Sequence, residues 1–186
     1  STSGPRIQVR FFGGDDLPGD STDPKTMVEQ GYEQGVPMGG DLDPTETAPT
    51  FTVHAVKDPD GANLDRIQVI KGWVDADGGL HEKIVDVVWS GDRTPGANGK
   101  LPPVGNTVDL TTAKYTNDIG AATLIGSWRD ESFDPEQYAF YYARVLEIPT
   151  PRWSTYDAVR HDLPLLEDVP ATIQERAWTS PIWYAP

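Results

Sequence analysis

The feature that most constrains this chain is an apolar period of two. Ile7, Val9 and Phe11 alternate with Arg6, Gln8 and Arg10, so Pro5 to Gly13 reads as a strand with one wet face. Phe51, Val53 and Ala55 repeat the pattern, with His54 on the opposite face. Leu64 to Val74, Ile84 to Trp89, Leu124 to Trp128, Tyr138 to Ile148 and Ala177 to Tyr184 are rich in β-branched and aromatic residues, as strands are. The expectation is an all-β fold: a β-sandwich of about seven strands, immunoglobulin-like, with long irregular loops and one or two short helices. Composition agrees, because 18 Gly and 17 Pro make up about a fifth of 186 residues, against a usual share near 12%. That length is enough for one domain spanning residues 1–186 and too short for two.

Turn chemistry joins the strands. Asp60-Gly61, Asp77-Gly78-Gly79 and Asn98-Gly99 supply residues that tolerate positive φ, and the second of these predicts a hairpin. Asp23-Pro24 offers an N-cap with proline at the first helical position, with Gly31 as the expected stop. Ser154 with Asp157 resembles a capping box ahead of Ala158 and Val159. Asp134-Pro135-Glu136 could open a helix, yet Tyr138 to Ile148 suits a buried strand better. Residues 14–50 form a long stretch with little strand character, a loop that either covers a neighbouring surface or carries function.

Several chemistries are excluded or disfavoured. Without Cys there is no disulfide, zinc–thiolate site or cysteine nucleophile. A formal charge of −14 repels phosphate backbones and anionic lipid, so neither nucleic acid nor membrane is an expected partner. No apolar run approaches the ~18 residues of a membrane span. Ser1 begins no signal pattern, so any targeting peptide is expected to have been removed or never to have been on this piece. His54, His81 and His161 are too scattered for a multi-histidine metal centre. Neither Ser90 nor Ser180 stands in a GxSxG elbow, and Gly13-Gly14 and Gly39-Gly40 complete no phosphate loop. With 29 acids, no carboxylate pair stands out.

Two sites remain. Asp58, Asp60, Asn63 and Asp65 alternate oxygen side chains around Gly61, as calcium loops do. The same residues also make tight turns, and the position where an EF-hand has its twelfth-position glutamate holds Val69. The acids Asp15, Asp16, Asp20 and Asp23 read as a solvated loop. Trp73, Trp89, Trp128, Trp178 and Trp183 lie in strand patterns that core packing mostly explains. Trp153 does not: with Arg152 and Tyr156 it lies in a proline-rich segment, an interdomain or ligand surface, as is Glu175-Arg176 before the last strand. The competing reading is a loop packed on its own sandwich.

Many strings resemble, in order, the C-terminal part of the domain-of-unknown-function 3604 family. They include Val9-Arg10-Phe11-Phe12-Gly13-Gly14, Gly35-Val36-Pro37-Met38-Gly39-Gly40, Lys57-Asp58-Pro59-Asp60-Gly61-Ala62-Asn63, Trp89-Ser90-Gly91-Asp92-Arg93, Phe140-Tyr141-Tyr142-Ala143-Arg144-Val145 and Ala177-Trp178-Thr179-Ser180-Pro181-Ile182-Trp183-Tyr184. The resemblance implies a bacterial protein, in periplasm or cytoplasm, whose longer N-terminal part is similar to polymerase-and-histidinol-phosphatase-type metal-dependent hydrolases. The divalent metals and histidine motifs would belong to that part, and no catalytic residue carries over. It also implies a strand for Tyr138 to Ile148. On this resemblance the chain is expected to be a non-catalytic accessory domain docked on the hydrolase-like part, itself holding no cofactor unless calcium binds. The alternatives are a free-standing ligand-binding module, calcium-stabilised or sugar-binding through Trp153, and a small enzyme using carboxylates.

Overall fold

The computed structural model describes all 186 residues, Ser1–Pro186. In chain order the elements are β1 (Gln8–Gly14), α1 (Pro24–Gln34), β2 (Val36–Pro37), β3 (Asp41–Leu42), β4 (Thr50–Val56), β5 (Leu64–Val74) and β6 (Leu80–Trp89). Then follow β7 (Thr123–Arg129), β8 (Ala139–Glu147), β9 (Thr150–Pro151), α2 (Trp153–His161), β10 (Thr172–Ile173), β11 (Arg176–Trp178) and β12 (Ile182–Tyr184). Two open sheets carry the fold. One runs β2-β1-β4-β7, and the other β3-β12-β8-β5-β6, with β11 also on β8. Every pairing is antiparallel except β12 with β3.

Alternation decides which side chains meet. Phe11, Phe51, Val53, Ala55 and Leu124 of the first sheet share one core with Ile67, Val69, Tyr141, Ala143, Val145 and Ile182 of the second. Phe51 lies 4.2 Å from the Tyr141 ring and 5.7 Å from Phe11. The architecture is therefore mostly β and sandwich-like. One ion pair is enclosed in it. Lys71 Nζ stands 2.5 Å from the Asp130 carboxylate and donates to Ser132 O at 3.1 Å. The Tyr141 hydroxyl donates to Asp130 at 2.9 Å. Burial raises the Asp130 pKa, but the bonds from Lys71, Ser132 and Tyr141 outweigh it and hold the carboxyl below its ordinary value. Burial and the Asp130 charge push the Tyr141 hydroxyl up, so it remains a donor.

Each expected strand has a counterpart, one of them interrupted. The structure has twelve strands against an expectation of about seven, because the two-residue strands β2, β3, β9 and β10 are too short to show an apolar alternation. Ala177 to Tyr184 is two strands, because both segments lie along the same edge of β8 and Pro181 lacks an N–H between them. Thr179 bridges the gap, its N–H reaching Ala143 O at 3.0 Å and its hydroxyl accepting from Ala143 N at 2.9 Å. Asp75 closes the expected hairpin, accepting from Asp77 N and Gly79 N. The stretch 14–50 contains α1, β2 and β3. Asp23 caps α1 as expected, accepting from Thr26 N at 2.8 Å, but the helix does not stop at Gly31. Gly31 lies against the Phe12 ring, where a Cβ would collide, so this glycine lets α1 pack on the outer face of β1. The capping box at Ser154 does not form, since α2 starts at Trp153 with Arg152 at the N-cap and no side-chain cap.

Candidate functional site

The Asp58–Asp65 oxygens are directed at protein groups. Asp58 accepts from Arg6 N at 2.7 Å, Arg6 Nε at 3.1 Å and Arg6 Nη2 at 3.0 Å, and the same Nη2 reaches Asp60 at 2.6 Å. These Arg6 bonds hold the Asp58 carboxyl well below the usual carboxylate range. Lys57 Nζ donates to the Asp58 and Gly61 carbonyls, both at 2.9 Å, filling the loop's concave side with an ammonium. Asn63 instead donates to the Asn117 and Ile119 carbonyls. Asp65 is buried and accepts from Arg93 at 2.6 Å, Arg66 at 3.1 Å and Gln174 at 2.9 Å. Asp58 and Asp60 thus meet on Arg6, while Asn63 and Asp65 bond elsewhere. The chain gathers no three His, Asp or Glu side chains into a group able to hold a metal ion.

The second expected surface is built on α2. Its first residue, Trp153, is 71% exposed, and Tyr156, Leu163, Leu165 and Leu166 are exposed after it. Arg152 turns away to donate to Pro170 O at 3.0 Å. Glu175 and Arg176 are tied to the N-terminal segment: Ser3 Oγ donates to Glu175, and Arg176 N donates to Ser3 Oγ at 2.8 Å. The Arg176 guanidinium lies 6.0 Å from the Trp178 ring centre.

Among these patches lies a carboxyl that sequence reasoning passed over. Glu147 ends β8, is 2% exposed, and its Oε1 has no hydrogen-bond partner. Burial pushes its pKa up to about 7; Glu175 and Asp58 add repulsion and Lys57 partly offsets it. The available signal was parity, because Glu147 continues the inward series Tyr141, Ala143, Val145.

An apolar groove of about 440 Å³ opens on the outer face of the second sheet, and no element of the chain covers it. The β5–β8, β12–β8 and β5–β6 registers place Glu82, Gly72, Phe140 and Trp183 on one rung. Gly72 has no Cβ, and the Phe140 ring occupies that space, lying across β5. Trp183 stands 5.4 Å from Phe140, and Tyr142 lies 6.3 Å from it with ring planes only 13° apart. Trp183 is 49% exposed, so its place in a strand pattern does not make it a core residue. Val74, Leu80 and Tyr138 close one side of the groove. A lining of this kind stacks on flat or extended apolar ligands and leaves polar recognition to a few groups.

The family model described as a protein of unknown function, DUF3604, matches residues 1–186, the whole chain. No curated protein and no solved structure matches.

Proposed function

The chain belongs to the DUF3604 family of proteins of unknown function. On that premise we propose that it is a non-catalytic accessory domain, an immunoglobulin-like β-sandwich that docks on the catalytic part of a larger bacterial metal-dependent hydrolase. The observation that carries this reading is the surface from Trp153 to Leu166, where five large apolar side chains are exposed within one short segment. Such a density is costly in free solution and ordinary at an interface. Arg152 supports this surface from the side, donating to Pro170 O, and Glu175 adjoins the buried Glu147, whose N–H donates to the Glu175 carbonyl. The test is hydrogen exchange on the longer protein and on this chain alone. Slower exchange across α2 in the longer protein supports docking, and identical exchange overturns it. A second reading, a ligand-binding module, is favoured by the uncovered aromatic groove.

A further inference from the structure

The rung that crosses the groove continues one strand further. Trp183 pairs with Asp41 of β3, and because Leu42 and Tyr184 both enter the core, Asp41 shares the outer face with Trp183. Across five strands the rung therefore reads Glu82, Gly72, Phe140, Trp183, Asp41: a carboxylate at each end and an aromatic floor between. Four strand spacings of about 4.8 Å put the two end backbones about 19 Å apart, less the inward reach of both side chains. Both acids are exposed, and the chain gives neither an ion-pair partner.

The rows on either side contain no cation. Val74, Leu80 and Tyr138 form one, and Ile70, Ile84 and Tyr142 the other. The nearby lysines Lys71 and Lys83 belong to the opposite face, where they reach Ser132. A neutral sugar would find few hydrogen-bonding groups in so apolar a lining, and an aliphatic lipid would desolvate the carboxylates without recompense. A ligand with an apolar body and a positive charge at each end meets both features. Its methylenes lie on Phe140 and Trp183, its ammonium groups face Glu82 and Asp41, and cation–π attraction adds to the ion pairing.

We propose that this groove binds an extended aliphatic di- or polyamine, with Glu82 and Asp41 holding the two ends and Phe140 and Trp183 the chain between. The proposal rests on the ligand-binding reading and names its ligand class. Calorimetric titration of the chain at low ionic strength with decane diamine, spermine, decylamine and decanediol tests it. The diamine is expected to bind about fivefold tighter than the monoamine, and the diol weakest. Glu82→Gln and Asp41→Asn should each reduce the diamine to the monoamine's affinity, and Trp183→Ala should weaken all amines about tenfold, with circular dichroism unchanged. The remote exposed acid Glu167 supplies the control. If Glu167→Gln weakens the diamine as much as Glu82→Gln does, the attraction is only the net charge of −14 and the proposal fails. Equal binding of diol and diamine overturns the ligand class but leaves a ligand-binding module standing. Binding of none of the four overturns both.

Discussion

Replacing Glu147 by Gln should make the protein more stable in mild alkali and leave it nearly unchanged in acid. The carboxyl is 2% exposed, its Oε1 is unpartnered, and its pKa is raised from 4.5 to about 7. A raised acid pKa means that the folded state holds a proton the unfolded chain releases more readily. Below pH 4.5 both states are protonated and ionisation costs nothing. Between 4.5 and about 7 the unfolded state ionises first, and stability falls as pH rises. Each pKa unit corresponds to about 1.4 kcal/mol, so the loss reaches about 3 kcal/mol above pH 7 and stays there. Glutamine retains the shape and an unpartnered polar group but removes the charge. Urea unfolding of both proteins at pH 4.5, 6 and 8 reads the effect. The glutamine variant should be the more stable by about 3 kcal/mol at the highest pH, with the gap closing toward the lowest. Parallel pH profiles would refute the reasoning, because they would mean that Glu147 ionises equally easily in both states.

Other perturbations test the packing and the surfaces. Asp130→Ala leaves the Lys71 ammonium buried without its partner and should cost about 3–5 kcal/mol in urea unfolding. The double variant with Lys71→Met should recover much of that loss, and no recovery would mean that the pair is not the cause. Gly31→Ala forces a Cβ into the Phe12 ring and should destabilise by about 1–3 kcal/mol, the reverse of the usual gain from alanine in a helix. Asp23→Ala removes the bonds to Thr26 and should cost about 1 kcal/mol. Trp153→Ser should leave the unfolding free energy of this chain within about 0.5 kcal/mol of wild type, since an exposed contact surface contributes little until its partner is present.

The readings that hold depend on neighbours in sequence. Leu64 to Val74 is β5 to its last residue, the Asp23-Pro24 start opens α1, and the turn at Asp77 makes its hairpin. Gly31 misleads because a glycine in a helical pattern signals either a stop or a close approach, and only the Phe12 ring, brought from β1, distinguishes them. Ser154 and Asp157 have capping-box spacing, but the chain enters α2 from the β9 strand at Arg152, two residues earlier than that pattern needs. The Asp58–Asp65 oxygens were legible as a cluster, while the Arg6, Arg93 and Gln174 side chains that occupy them were not, being remote in the chain.

Strand positions, the mostly β character and the anionic surface follow from the sequence alone, because each is a matter of local alternation, turn chemistry or charge count. Which face of an apolar strand is covered is not. In the runs Phe140-Tyr141-Tyr142 and Ile182-Trp183-Tyr184 both faces are apolar, so period two separates them without saying which is inside. The first sheet packs on Tyr141, Ile182 and Tyr184 and leaves Phe140, Tyr142 and Trp183 outward. Tertiary packing thereby makes the groove, unites Glu82 with Asp41 on one rung and isolates Glu147 from water, since each depends on strands meeting that are tens of residues apart.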